Sequence, residues 1–129
     1  MNGIHPMTDN RDLRAMSPKE TAVIDTIVSA SGVSGGQGLI EELDAAVVSR
    51  STQWIIDVKP ATDGAGVDLS NGPFPAHAYV PTSADYYYPG GEIIMWIKDG
   101  HLDGLEYAWV TNEAPTRRPR PDEMAVVPD

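Results

Sequence analysis

The chain has 129 residues, a net charge of −10 from 9 basic and 19 acidic side chains, and no cysteine. A chain of this length forms one domain around one hydrophobic core. The lack of cysteine excludes disulfides, thiolate zinc sites and cysteine nucleophiles. The sequence contains no run of 18 apolar residues and no pattern of a secretory signal peptide. We therefore expect a soluble, cytoplasmic protein.

The negative charge is concentrated in the middle of the chain. Residues 39–106 contain 11 acidic residues against 3 basic ones, which gives this part a net charge of −8. Such a surface repels phosphate backbones and anionic membranes, because binding to them depends on Lys and Arg side chains. We therefore expect no nucleic-acid or membrane partner, whereas a basic protein is compatible with the charge. Acidity that serves only solubility is the alternative.

The first predicted helix follows an N-terminal arm. Residues 1–16 show little periodicity, which predicts that the arm is flexible. Ser17 and Glu20 can each accept a hydrogen bond from the other's backbone N–H group, and Pro18 fits the first helical position. Apolar residues at helical spacing follow, and the glycine-rich segment "SGVSGGQG" ends the helix. This segment lacks the Lys-Ser/Thr ending of a phosphate-binding loop, so it predicts a flexible connector.

A second short helix is predicted next, and its inner face comprises five apolar residues: Leu39, Ile40, Leu43, Ala46 and Val47. From residue 51 the period changes to two, and "TQWIIDVK" predicts a half-buried strand with Trp54, Ile56 and Val58 on one side. Residues 60–75 are rich in Pro, Gly, Asp and Asn and predict a loop that includes a short strand at 67–69.

Residues 92–110 predict a β-hairpin, after another strand at "AHAYV". The pair Asp99-Gly100 favours a type I′ turn, in which both central residues have positive φ. The apolar residues after the turn are out of phase by one position. A bulge at Asp103-Gly104 corrects the phase and places Leu105 opposite Met95.

The predicted register leaves two apolar residues, Ile94 and Trp96, on the face of the hairpin that points away from the core. Glu92, Glu106 and Val110 lie beside them. An apolar strip bordered by carboxylates is typical of a docking surface. The N-terminal arm or the C-terminal tail could equally cover it.

His101 has acidic neighbours at a spacing that hydrolases and metal sites use, namely Asp99, Asp103 and Glu106. In the predicted hairpin, His101 lies at an exposed turn and Glu106 lies farther along the outer face. A type I′ turn does not bring three ligands to one point. We therefore predict a solvated histidine, no catalytic residue, no metal and no cofactor. The alternative is an enzyme that uses His101 with Asp103, either a small metal- or His-dependent hydrolase or a nucleotide-handling protein.

Three consecutive tyrosines, Tyr86, Tyr87 and Tyr88, precede a Pro-Gly-Gly turn. Because successive side chains of a strand point to opposite faces, one face cannot bury all three rings. Tyr is common at protein interfaces, although two of the rings could pack over the sheet edge. The last segment, 115–129, contains four prolines, which predicts an extended, semi-rigid tail.

These elements predict one α+β domain at residues 17–114, between the flexible arm 1–16 and the extended Pro-rich tail 115–129. In it, two N-terminal helices pack on an antiparallel sheet of about four strands.

The segment "GEIIMWIKDGHLDGLEYAWVTNEAPTRRPRP", preceded by "SPKETAVIDTIVSA" and "LIEELDAAVV", resembles a small uncharacterised bacterial family. Its members share an acidic strand, an Asp-Gly turn, a Leu-x-x-Leu-Glu return strand and a Pro-rich tail. In size, acidity and lack of a catalytic motif, the chain is also similar to immunity proteins of contact-dependent inhibition and related polymorphic toxin systems. This resemblance implies a cytoplasmic inhibitor of a cognate toxin domain, often a basic nuclease, and it transfers no residue role.

We therefore expect a non-enzymatic immunity protein that binds its toxin through an acidic, aromatic-containing surface. Complementary charge predicts that association weakens with salt. The residues expected at this surface are Tyr86, Tyr87, Tyr88, Trp96, Asp99, Asp103 and Glu106. A structural or regulatory homodimer with Ile94 and Trp96 at its interface is a further alternative.

Overall fold

The computed structural model describes residues 13–52, 54–60, 66–81, 89–109 and 119–128. Within these ranges the strands are β1 (Arg14–Ala15), β2 (Val47–Thr52), β3 (Ile55–Lys59), β4 (Gly72–Pro73), β5 (Ala76–Pro81), β6 (Pro89–Lys98), β7 (His101–Trp109) and β8 (Ala125–Pro128). The helices are α1 (Pro18–Ser31) and α2 (Gly36–Glu41), and single 3₁₀ turns lie at Leu43–Ala45 and Pro121–Glu123. The predicted α+β class is confirmed.

The eight strands form one antiparallel sheet, twice the predicted number of strands. Seven of them lie in the order β1-β2-β3-β7-β6-β5-β8, and β4 pairs with β6 outside this path. The short strand predicted at 67–69 is not present, and β4 forms a few residues later. Strands β1 and β8, at the two edges of the sheet, include residues of the predicted arm and tail.

Helix α1 begins as its sequence predicts. The backbone N–H of Glu20 donates to Ser17 Oγ, and the Ser17 N–H donates to Glu20 Oε1. Arg14 in β1 also binds both carboxylate oxygens of Glu20, at 2.8 and 2.7 Å. Burial raises the pKa of Glu20, but the hydrogen bonds from Arg14 and from the Ser17 backbone outweigh it, and the pKa falls from 4.5 to about 2.

The second helix differs from the prediction at both ends. It begins at Gly36, inside the segment predicted to be a flexible connector, because Gly36 lets the backbone pack closely against α1. A Cβ atom at Gly36 would lie 2.8 Å from Val28 Cγ1. The helix ends at Glu41, so Val47 belongs to β2 and is 37% exposed instead of lying on an inner helix face.

The predicted register of the β6–β7 hairpin is confirmed. Met95 pairs with Leu105, and one extra residue, Asp103, lies between the pairs formed by Gly104 and Leu102. Asp99 and Gly100 in the turn have φ values of 53° and 79°, as a type I′ turn requires. Turn chemistry and alternation therefore place the side chains of both long strands on the correct faces.

A single core lies between the two helices and one face of the sheet. Its largest fully buried side chains come from both layers: Ile24, Ile27, Leu39, Val48, Ile56 and Met95. Trp54 and Trp109 pack against this core and contact each other with ring centroids 5.3 Å apart. None of the helices in the described ranges is long and apolar enough to cross a membrane.

Candidate partner-binding surface

The sheet has a second face, which points away from α1 and α2 and which we call the outer face. Strand alternation assigns residues to it: Ile56 is fully buried and belongs to the core, so its neighbour Ile55 points outward. Cross-strand pairing then places these side chains together: Ile55, Asp57, His77, Tyr79, Glu92, Ile94, Trp96 and Glu106. The central strands β3, β7 and β6 contribute most of them.

Trp96 lies on the outer face two residues before the end of β6, beside Pro73 of β4, and is 36% exposed. It pairs with Gly104 on β7, and its Cδ1 would lie 3.9 Å from a Cβ atom built there. The indole Nε1 donates a hydrogen bond of 3.1 Å to Glu106 Oε1. Because Gly104 carries no side chain, the indole ring extends across the strand and is held there by Glu106.

Further carboxylates lie near this ring. Asp57 pairs with Gly104 from the opposite side, and Asp103 is the extra residue of the bulge. Both side chains are exposed, and neither makes a hydrogen bond or ion pair with another residue in the described ranges. Of the carboxylates around Trp96, Asp103 and Glu106 were predicted from the sequence. Asp57 was missed, because the pairing of β3 with β7 is not apparent from local patterns.

A second polar group lies on the β5 side of the outer face. His77 Nδ1 is 2.9 Å from Glu92 Oε2. The His77 ring also stacks on Tyr79, with centroids 5.4 Å apart and an interplanar angle of 9°. Glu92 is therefore bound within the sheet, unlike Asp57 and Asp103.

The other predicted surface residues lie elsewhere. Asp99 is exposed in the hairpin turn, and its backbone N–H donates to Asn71 Oδ1 at 2.8 Å. Asp99 therefore lies in the turn at the end of the hairpin and not beside Trp96 on the outer face. The three predicted tyrosines, Tyr86, Tyr87 and Tyr88, lie outside the described residues, as does Val110.

The prediction that His101 is solvated is wrong. His101 is 7% exposed, and its Nδ1 lies 2.8 and 3.1 Å from the two carboxylate oxygens of Glu42. Glu42 follows α2 and is 59 residues away in sequence. The segment after α2 therefore covers the end of the hairpin, a long-range contact that the local sequence around His101 does not contain.

His101 and Asp103, which the hydrolase alternative combines, lie in different surroundings. Asp103, its partner in the hydrolase alternative, is exposed, whereas His101 is buried against Glu42. Among the residues that the structure describes, no three His, Cys, Asp or Glu side chains come close enough to share a metal ion. His101 therefore connects the hairpin to the helical layer.

A cavity of 910 Å³ lies on the other side of the sheet, between the start of α1 and the residues before β8. Its floor contains Ile93 and Leu105, and its rim includes Lys19 and Arg120. Neither His77 nor His101 is among its described lining residues. Of its two described acidic side chains, Glu20 is bound by Arg14 and Asp122 lies 3.4 Å from Arg120.

No protein-family model, no curated protein and no solved structure matches this chain.

Proposed function

We propose that this chain is a non-enzymatic binding protein whose outer face docks onto a basic protein partner, and specifically that it is a cytoplasmic immunity protein that neutralises a bacterial toxin domain. The observation that carries the proposal is the grouping of an exposed tryptophan with three carboxylates on a sheet face that neither helix covers. Binding faces commonly combine an aromatic anchor with polar groups around it.

The negative charge of the chain favours a basic partner. Asp57, Asp103 and Glu106 lie on the side of Trp96 that faces β7 and β3, and the whole chain carries −10. A basic nuclease domain has the complementary charge, which speeds encounter and favours this partner over acidic ones. Inhibition would follow if the outer face covered the basic cleft in which the toxin binds nucleic acid.

The test begins with the protein encoded beside this chain, expressed as a toxin domain with its active site inactivated. Titration calorimetry at low and high salt measures the dissociation constant. We expect the affinity to fall with salt and to fall by more than tenfold for Trp96→Ala, since buried aromatic anchors contribute about 2 kcal/mol or more to binding. Unchanged affinity for Trp96→Ala would show that the outer face is not the binding surface.

A matched control comes from the opposite layer. Asp25 is an exposed carboxylate on α1, so Asp25→Asn changes the net charge by as much as Asp57→Asn does. We expect only the change at Asp57 to weaken binding. If both variants weaken binding equally, only the net charge of the chain matters, and binding through a localised acidic surface is contradicted. Light scattering of the isolated chain tests the homodimer, which would use the same face.

A further inference from the structure

Trp96 is partly exposed beside two carboxylates of neighbouring strands. Asp57, Gly104 and Trp96 lie in one row across β3, β7 and β6, and the Trp96 Cδ1 lies 3.9 Å from a Cβ atom built on Gly104, so the indole lies over the glycine that separates it from Asp57. Glu106 on β7 holds the indole Nε1. The exposed part of the ring, Glu106 and Asp57 therefore form one surface, which we call the Trp96 patch.

The carboxylates of the Trp96 patch have unused hydrogen-bonding capacity within the described part of the chain. Glu106 accepts from the Trp96 indole through Oε1, and its Oε2 makes no hydrogen bond with the described residues. Asp57 and Asp103 make no hydrogen bond there. Lys98 lies two residues from Trp96 on the same side of β6, but it forms no ion pair within 4 Å with any of them. The Trp96 patch thus keeps a local excess of negative charge.

We propose that the Trp96 patch binds an arginine side chain of the partner, an inference that rests on the proposed function and specifies the chemistry of its central contact. The guanidinium plane stacks on the Trp96 ring, while its N–H groups donate to Glu106 and Asp57. Arginine fits better than lysine, because a planar guanidinium both stacks on an aromatic ring and presents several donors to carboxylates.

The test uses the whole chain and a small probe, N-acetyl-arginine amide. The chain has three tryptophans, so three indole N–H signals appear in a nitrogen-15 correlation spectrum, and Trp96→Phe assigns one of them. We expect a saturable shift of the Trp96 signal. Trp54 and Trp109 pack against the core and serve as internal controls that should not move. The neutral isostere N-acetyl-citrulline amide should give no saturable shift, and the lysine analogue a weaker one.

Two variants test which carboxylates bind the guanidinium group. Glu106→Gln and Asp57→Asn should each weaken the binding of the arginine probe by about fivefold, as expected for a partly exposed ion pair. Asp25→Asn, on the opposite layer, should leave it unchanged. Near-ultraviolet circular dichroism confirms that each variant is folded.

Equal shifts of all three indole signals, or equal binding of the arginine and citrulline probes, would overturn the proposal. This outcome is separate from failure of the proposed function. A toxin that still binds through Trp96 while the arginine probe does not would refute only the arginine contact. If the Trp96 patch binds the arginine probe but the chain binds no toxin, only the immunity role is refuted.

Discussion

The inner and outer faces of the sheet differ in how their charged groups are satisfied. On the side of the helices, Glu20 is held by Arg14 and by the start of α1, and Glu42 is held by His101. On the outer face, Asp57 and Asp103 have no partner in the described part of the chain. Burial costs a charge its hydration, so an inner carboxylate needs a partner, whereas an exposed one stays hydrated until something else binds. Within the described residues, Glu20 and Glu42 on the helix side are paired, whereas Asp57 and Asp103 on the outer face are left to solvent.

The largest expected contrast between the faces comes from adjacent isoleucines in β3. Ile56 is fully buried, so Ile56→Ala should lower the free energy of unfolding by about 3 kcal/mol through lost burial and a new cavity. Ile55 points outward and is only partly buried, so Ile55→Ala should lower it by less than about 1 kcal/mol. Urea unfolding monitored by tryptophan fluorescence measures both. Similar losses would mean that the outer face is also covered.

A smaller contrast is expected between the two histidine–carboxylate pairs. His101 and Glu42 have side chains that are 9% and 22% exposed, against 43% and 30% for His77 and Glu92. Glu42→Gln removes a charged acceptor from a buried imidazole and should cost about 2 kcal/mol of unfolding free energy. Glu92→Gln should cost less than about 0.5 kcal/mol, because water screens the exposed pair. Thermal unfolding of both variants measures these losses. A larger loss for Glu92→Gln than for Glu42→Gln would contradict the burial of His101.

The smallest contrast concerns acid stability. The pKa of Glu20 is about 2 in the folded chain and 4.5 ordinarily, so its ionised form stabilises the fold above pH 4.5, and this contribution is lost as the pH falls towards 2. Glu20→Gln should therefore lose roughly 1 kcal/mol near neutral pH, since Arg14 is about half exposed and partly screened. The difference from the unsubstituted chain should vanish near pH 2.

Asp57→Asn provides the control for the loss of one negative charge, because Asp57 is exposed and has no partner among the described residues. Urea unfolding near neutral pH should show a loss of less than about 0.5 kcal/mol for Asp57→Asn. A pH-independent deficit in Glu20→Gln would instead indicate that packing, and not the charge, accounts for the loss.

The β6–β7 hairpin could be predicted in detail because its information is local. The Asp99-Gly100 pair specifies the turn, and the out-of-phase apolar residues after Leu102 require a bulge. The start of α1 is equally local, since Ser17 and Glu20 are three residues apart. Trp96 and Glu106 could be assigned to the outer face for the same reason.

The remaining parts depend on contacts between distant residues. Strand β2 ends at Thr52 and β3 begins at Ile55, and the sequence there contains no Gly, Asn or Asp that would mark a tight turn, so one strand was expected where two exist. Strand β1 has two residues and β8 has four, too few for alternation to show. The burial of His101 depends on Glu42, and the position of Asp57 depends on pairing with β7. Neither partner can be inferred from neighbouring sequence.

The positions of β1 and β8 have a consequence for biosynthesis. These strands come from opposite ends of the described chain and close opposite edges of the sheet. During translation β5 keeps an open edge until residues 125–128 emerge from the ribosome, because β8 is its neighbour on that side. Unpaired edges recruit other strands, so the nascent chain is most prone to aggregate in the interval before its last described strand is added.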